Sequence, residues 1–161
     1  MISLLELMPA AAAAVCTPMH LVLRPRPSVH VGALYLGSLS ATLEPGFLAA
    51  HNISAVVRVM DSPFIAAQDP HAPVEMHRID IGDSAAVDIR PHLEGAVQWI
   101  DERRKHGQNV LVHCQHGISR SASIVLAYLI RTLNVSYDVA FTFLQSKRAC
   151  IKPNAGFAVY V

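Results

Sequence analysis

Residues 109–133 constrain the fold most strongly, because they pass from a strand pattern to a helix pattern within a few positions. Residues 109–113 are dominated by valine and leucine, which is typical of a strand buried on both faces. A short loop containing Gly117 follows, and an apolar helix is predicted from about Ser121 to Leu133. A buried strand that leads through a tight loop into a helix is the local unit of an α/β sheet.

The rest of the chain repeats this alternation. Further strands are predicted at residues 29–31, 34–37, 53–60 and 74–79, the last as an internal strand of the sheet. Helices are predicted after Glu44, from Asp88 to Gly107, and after Ser136, the last with an inner face of Val139, Phe143 and Leu144. We therefore expect an α/β fold with a central, mainly parallel twisted sheet of about five strands and helices on both faces.

The arginine–proline stretch at residues 24–27 predicts a domain boundary, since two prolines in four residues disfavour helix. We expect residues 1–27 to form a poorly ordered N-terminal extension and residues 28–161 to form the compact domain. Residues 1–23 lack a basic start, and no uninterrupted apolar run approaches the ~20 residues of a membrane span. A leader or membrane segment is therefore not expected.

Composition narrows the function further. The chain has 161 residues, a 52% hydrophobic fraction and a formal net charge of +1. Proteins that bind nucleic acid or anionic membranes usually carry a strong basic excess, which is missing here. The three cysteines show no paired spacing, so reduced thiols in the cytosol, and also in the nucleus, are the simpler interpretation.

Cys114 and Arg120 lie at the two ends of the loop that joins the buried strand to its helix. Backbone N–H groups of such a loop can point inward and form an anion-binding nest, to which the helix N-terminus adds partial positive charge. Gly117 permits a positive φ angle and a close approach of the backbone to a ligand. The positive potential favours the thiolate form of Cys114 and binds a phosphate dianion against it. Arg120 can grip two phosphate oxygens at once, which lysine cannot.

This arrangement predicts nucleophilic catalysis assisted by a general acid. Attack of the Cys114 thiolate on phosphorus forms a phosphocysteine and expels an alkoxide or phenolate, which needs a proton. Asp83 is the candidate acid, in a loop after a strand that can neighbour the nucleophile strand. Asp80 lies closer to the strand end, and Asp88 is expected to cap the next helix. Ser121 can donate a hydrogen bond to Cys114 and help the sulfur leave.

The signature His113-Cys114-x-x-Gly117-x-Ser119-Arg120-Ser121-x-Ser123 resembles that of the protein tyrosine phosphatase superfamily. Within it, the chain is similar to the small atypical dual-specificity phosphatases, over about residues 28–161. The resemblance implies the cysteine-phosphatase fold and hydrolysis of phosphotyrosine as well as phosphoserine and phosphothreonine. It also implies a reaction without metal or organic cofactor.

The same resemblance assigns roles to individual residues and to partners. His113 supports the thiolate, and Asn154 braces the loop. The residues that would bind the substrate phosphate are Gln115, His116, Gly117, Ile118, Ser119 and Arg120. The implied partner is a phosphorylated protein, with a kinase as a further candidate, and we expect a monomer that binds neither nucleic acid nor membrane.

Other functions share parts of this pattern. A phosphatase for RNA 5′ ends or phosphoinositides usually has extra basic residues in the loop, where this chain has Gln115, His116 and Ile118. A rhodanese-type sulfurtransferase also holds a cysteine in an anion-binding loop, but Ser121 and Asp83 favour phosphatase chemistry. A catalytically weak phosphate-binding module is the remaining alternative, and the complete set of catalytic residues argues against it.

Several residues leave alternatives open. Arg58 stands where the resembled family often has asparagine, so it either biases substrate choice or is a surface residue. Cys150 is either a small apolar residue at a helix end or a partner for a protective disulfide with Cys114. The chain stops four residues after Phe157, so a short last helix is expected. A zinc site is disfavoured because no common ligand spacing is met by His71, His77, His113, His116 and Cys114.

Overall fold

The computed structural model describes residues 17–63 and 73–161. Five strands form one sheet in the order β1-β2-β5-β3-β4. They are β1 (Met19–Leu23), β2 (Leu34–Ser38), β3 (Ile53–Val59), β4 (Glu75–Ile79) and β5 (Asn109–Cys114). The β1–β2 pair is antiparallel, and the other neighbouring strands run parallel. The mainly parallel five-stranded sheet predicted from the sequence is confirmed.

Helices cover both faces of this sheet. They are α1 (Ser40–Leu43), α2 (Phe47–Ala50), α3 (Arg90–Lys105), α4 (Arg120–Leu133), α5 (Tyr137–Lys147) and α6 (Ala155–Tyr160), with a 3₁₀ turn at Pro27–Val29. Along β5, Val110 and Val112 pack into the large core with residues of α3 and α4, whereas Leu111 packs on the opposite face beside Phe47 and Leu48. Successive residues of one strand thus fill cores on both sides, which explains its continuous apolar run.

The central position of β5 sets the location of its C-terminal residue. β5 lies between β2 and β3, with Cys114 opposite Ser38 and His113 opposite Arg58. The carboxyl ends of these parallel strands meet at one edge of the sheet, where ligands bind in α/β folds. The fold therefore presents Cys114 at that edge, immediately before α4.

The boundary expected near Ser28 is placed too late in the chain. Strand β1 pairs with β2 across Met19–Gly37, and Val22 is buried in the main core. The prolines of residues 24–27 thus lie in a connection within the sheet, where Arg26 bridges to Val31. The strand predicted at residues 29–31 does not form: Val29 ends the 3₁₀ turn Pro27–Val29, the left-handed His30 (φ 58°) breaks the extended path, and Val31 makes an isolated bridge. Residues 1–16 of the expected extension lie outside the described residues.

Three finer predictions also differ from the structure. Strand β4 is an edge strand, and among its residues only Ile79 is fully buried. Ile89 occupies the N-cap position of α3, while Asp88 accepts a hydrogen bond from the Arg90 N–H at 3.0 Å. Val139 is 54% exposed, since the buried residues of α5 are Ala140 and Leu144, one helical turn apart. None of the helices in the described ranges has the length and apolar character needed to cross a bilayer.

The inner face of α5 can be tested by comparing two truncations on this helix. Leu144→Ala removes a fully buried side chain and should lower the free energy of unfolding by about 2–5 kcal/mol. Val139→Ala removes an exposed side chain and should change it by less than about 0.5 kcal/mol. Urea denaturation of both variants measures the difference, and equal losses would contradict the helix register described here.

Candidate active site

Cys114 lies at the end of β5, and its side chain is the floor of the site. It is 2% exposed, and its Sγ accepts two hydrogen bonds, from the Gly117 N–H at 3.2 Å and from the Ser121 hydroxyl at 3.1 Å. We call residues 114–120 the phosphate loop. Both donors place partial positive charge at the sulfur, which is the environment that a thiolate requires. The hydrogen bond predicted from Ser121 is present in the structure.

Gly117 is required by the path of the phosphate loop. Its φ is +67°, and a Cβ there would lie 2.5 Å from the carbonyl oxygen of Gly37 in β2. Any other residue would meet backbone strain and a clash with backbone that cannot move aside. The positive φ expected from the sequence is what turns the Gly117 N–H toward the sulfur.

Arg120 begins α4 and is 9% exposed. Its Nη1 donates to the Ile81 carbonyl at 3.2 Å and to Asp61 Oδ1 at 3.3 Å. The other two nitrogens, Nε and Nη2, donate to no residue in the described ranges, and Nε is buried. Nη1 thus anchors the guanidinium. Nε and Nη2, which lie along one edge of it, can donate to two oxygens of a tetrahedral anion.

Asp83, Ser119 and Asn154 form one hydrogen-bonded group at the rim of the loop. The Ser119 hydroxyl and the Asn154 side-chain amide both donate to Asp83 Oδ1 at 2.8 Å. The Asn154 N–H donates to the same Ser119 hydroxyl at 2.9 Å, and Asn154 Oδ1 caps α6 by accepting from Phe157 N. The candidate acid is therefore tied directly to the loop that holds the candidate nucleophile.

The other acids considered in the sequence lie in different surroundings. Asp80 is 59% exposed and pairs with Arg58 and Arg78, each at 3.4 Å. Asp88 pairs with Arg90 at 2.8 Å, and this bond holds the pKa of the Asp88 carboxyl below its usual range. Both carboxylates are thus engaged away from the sulfur.

His113 is buried beneath the loop, where its Nδ1 lies 3.3 Å from the carbonyl oxygen of Cys114. Burial lowers the pKa of His113 to about 4, with a smaller contribution from the positive charge of Arg58 and a partial offset by the hydrogen bond to Cys114. The imidazole is therefore neutral at pH 7. It can fix the backbone of Cys114 by donating to its carbonyl, but it supplies no positive charge to the sulfur.

The remaining predicted phosphate-binding residues lie along the loop. Gln115 and His116 are exposed, Ile118 is half-buried and Ser119 is buried. The Ile118 carbonyl accepts from the Lys152 N–H at 2.7 Å, so the segment before α6 runs alongside the loop. Among the described residues no group of three or more histidine, cysteine or acidic side chains could hold a metal ion. His71 lies outside the described residues.

Sequence reasoning missed two residues that contact this site. Asp61 follows β3 and pairs with Arg120, and the rule that located Asp83 after β4 applies equally to the end of β3. Arg148 is fully buried behind the loop and donates to the carbonyls of His116 and Gly117. An arginine after a helix gives no local signal of such a role, because cations are common at helix C-termini. Arg58 is 2% exposed, so the alternative of a surface residue is excluded.

Comparison with known proteins identifies the family. The model for "Dual specificity phosphatase, catalytic domain" matches residues 34–160. The chain belongs to this family. Dual specificity protein phosphatase 2 of Mus musculus is 40% identical to this phosphatase domain over 126 residues, which are 77% of the chain and 38% of that protein. The chain covers between 18% and 56% of the length of the first curated relatives it matches.

Solved structures of related proteins share the fold. The human tyrosine phosphatase-like serine/threonine/tyrosine-interacting protein superposes with a TM-score of 0.77 at 30% identity, covering 88% of this chain and 91% of that one. A mouse putative dual specificity phosphatase, solved in complex with zinc tungstate, gives a TM-score of 0.75 at 29% identity and covers 96% and 89%. The cysteine-phosphatase fold expected for this phosphatase domain is thereby confirmed.

The neutral buried His113 predicts a specific loss of stability in acid. Its folded pKa of about 4 lies below the ordinary value of 6.5, so between these values the unfolded chain binds a proton that the folded chain excludes. Stability is fully present above pH 6.5 and falls as the pH drops toward 4. Between pH 7 and pH 5 the free energy of unfolding should fall by about 2 kcal/mol from this group alone.

Urea denaturation at pH 7 and pH 5 gives the change in the free energy of unfolding between the two pH values. This change is compared between the wild type and His113→Gln, in which residue 113 cannot bind a proton. The matched control is His106→Gln, which replaces an exposed histidine and should keep the wild-type pH dependence. An equal pH dependence of the wild type and His113→Gln would contradict a buried neutral imidazole.

Proposed function

We propose that this chain is a cysteine-dependent protein phosphatase that hydrolyses phosphotyrosine and phosphoserine or phosphothreonine through a phosphocysteine. The observation that carries the proposal is a convergence on one point. The Cys114 sulfur with its two donors, the unengaged edge of the Arg120 guanidinium and the Asp83 carboxyl all belong to one loop and its rim. The phosphate loop thus carries the nucleophile and the phosphate clamp, and the Ser119 hydroxyl of the same loop binds the acid, which comes from the segment after β4.

Substrate binding uses the two Arg120 nitrogens that donate to no described residue, together with the loop backbone. The Nε and Nη2 nitrogens of Arg120 grip two equatorial phosphate oxygens, and N–H groups of the loop receive the remaining charge. The dianion then lies against the sulfur in a site that preorganises donors for the transition state. The mouse relative was solved in complex with zinc tungstate, and tungstate is a tetrahedral oxyanion like phosphate, so a related domain binds the kind of anion proposed here.

The first half-reaction transfers the phosphoryl group to sulfur. The Cys114 thiolate attacks phosphorus, the P–S bond forms and the bond from phosphorus to the ester oxygen breaks. Asp83 protonates the departing oxygen from Oδ2, which accepts no hydrogen bond from the described residues, since Ser119 and Asn154 both donate to Oδ1. The products are phosphocysteine and a free hydroxyl on the substrate.

The second half-reaction restores the enzyme. Water attacks phosphorus and gives its proton to the Asp83 carboxylate, while the P–S bond breaks and inorganic phosphate leaves. Ser121 stabilises the departing sulfur through the same 3.1 Å hydrogen bond that it makes in the resting site. Asp83 thus acts as acid in one step and as base in the next.

The surroundings of the enzyme are part of the proposal. The substrate is a phosphorylated protein, a kinase of the same substrate is a candidate partner, and the protein acts as a monomer because one chain supplies every group named above. The cytosol, and with it the nucleus, is the proposed location, since Cys114 is a free thiol and a thiol nucleophile needs a reducing compartment.

The nucleophile is tested with a generic aryl phosphate. The wild type should hydrolyse p-nitrophenyl phosphate in the presence of a chelator, and Cys114→Ser should lower kcat by at least about 10³-fold, because a hydroxyl is not ionised at neutral pH. The control Cys150→Ser removes a thiol outside the loop and should retain wild-type turnover. Activity that is abolished by the chelator but survives in Cys114→Ser would overturn the mechanism.

The general acid is tested by varying the leaving group. Asp83→Asn should slow phenyl phosphate by about 10²-fold or more, while p-nitrophenyl phosphate, whose leaving group needs little protonation, should lose much less. Asp80→Asn is the matched control, as Asp80 is an exposed acid a few residues earlier that pairs with arginines. If Asp83→Asn slows both esters equally, or Asp80→Asn shows the leaving-group dependence instead, the assignment of the acid is wrong.

A further inference from the structure

Arg148 is a fully buried arginine at the end of α5 that no step of the proposed reaction uses. Its Nε donates to the Gly117 carbonyl at 2.8 Å, and its Nη2 donates to the His116 carbonyl at 3.0 Å. Its Nη1 donates to the Thr17 carbonyl at 2.7 Å and lies 2.9 Å from His20 Nδ1. One guanidinium thus joins the phosphate loop to the strand at the opposite end of the chain.

The loop carbonyls held by Arg148 belong to peptide groups whose N–H ends form the anion nest. A trans peptide is planar, so its carbonyl and the following N–H point in opposite directions. The peptide between His116 and Gly117 has its oxygen on Arg148 and its N–H on the Cys114 sulfur. Fixing the oxygen therefore fixes the direction of the N–H that faces the nucleophile.

The same reasoning applies to the next peptide. The Gly117 carbonyl accepts from Arg148 Nε, so the N–H of Ile118 is directed away from Arg148. The left-handed conformation of Gly117 links these two planes, and glycine alone would leave them free to rotate. A charged donor on each carbonyl also polarises the peptide and strengthens its N–H as a donor.

We propose that Arg148 is a positioning residue for the phosphatase reaction, which holds the Gly117 and Ile118 peptides so that their N–H groups face the sulfur and the bound phosphate. The inference rests on the proposed function. The fork of Arg148 is necessary because lysine, with one nitrogen, cannot hold both carbonyls and the Thr17 carbonyl at once. Thr17 and His20 hold the other side of the guanidinium, so the segment that includes β1 contributes to the geometry of the phosphate loop through the Arg148 side chain.

The test compares Arg148→Lys with the wild type through two readouts of the loop. One is the constant for inhibition of aryl phosphate hydrolysis by tungstate, a tetrahedral oxyanion. The other is the pH midpoint for alkylation of Cys114 by iodoacetamide. Misaligned N–H donors should raise the tungstate constant by about tenfold or more and move the alkylation midpoint to higher pH. Both values are measured on protein whose folding is verified by circular dichroism.

Arg104→Lys is the matched control, because Arg104 is also a buried arginine that donates to a backbone carbonyl, that of Gly32, but it lies away from the loop. It should lower the melting temperature while tungstate inhibition and the alkylation midpoint stay at wild-type values. If Arg148→Lys behaves like this control, with reduced stability alone, the positioning role is refuted.

Two further measurements cover the cases in which Arg148→Lys does not fold or the wild type is inactive. If Arg148→Lys does not fold, His20→Ala removes only one of the contacts of the guanidinium and should raise the tungstate constant by about threefold, whereas an unchanged constant overturns the proposal. If the wild type does not hydrolyse aryl phosphates, the proposed function fails. The alkylation midpoints of wild type, Arg148→Lys and Arg104→Lys still decide the role of Arg148 in that case.

Discussion

The hydrogen bond from the Gly117 N–H to the Cys114 sulfur is the interaction on which the rest of the site depends. It requires a residue in the left-handed region, and the backbone of β2 leaves no space for a side chain there, since the Gly37 carbonyl would lie 2.5 Å from a Cβ. The loop is therefore packed tightly against both β2 and Arg148, whose Nη2 would lie 2.8 Å from the same Cβ. Close packing rather than loop flexibility sets the direction of its donors.

The positive potential at the site arises without a basic protein. The formal net charge is only +1, yet Arg58, Arg120 and Arg148 are each buried at the carboxyl edge of the sheet. They bind backbone carbonyls, and the acids that pair with Arg58 and Arg120 are mostly exposed, so solvent screens the negative charges more than the positive ones. Burial of the cations, not their number, makes the loop attractive to a phosphate dianion.

What could be predicted from the sequence follows from how local each signal is. The strand before Cys114, the glycine and the helix after Arg120 each have a sequence signal within a few residues, so the sheet and the position of the phosphate loop are predicted correctly. Asp83 has a similarly local signal, as an acid in the loop after β4, and its role as the general acid stays a prediction. Strand β1 is defined by its pairing with β2 across the proline-containing connection, and the bond from Arg148 to Thr17 joins residues 131 positions apart, so neither leaves a local signal. Val139 was misplaced because both sides of α5 carry apolar residues, and only packing decides which side is buried.

The state of Asp83 follows from the direction of the hydrogen bonds around it. Asn154 Oδ1 must accept from the Phe157 N–H, so its amide nitrogen is the group that faces Asp83. The Ser119 hydroxyl accepts from the Asn154 N–H, and its single proton is directed to the same carboxylate oxygen. Oδ1 is thus an acceptor only, and a proton carried by Asp83 must reside on Oδ2. The cap of α6 thereby leaves Oδ2 as the oxygen that the proposed acid can use toward a leaving group, while Oδ1 is tied to the phosphate loop through Ser119.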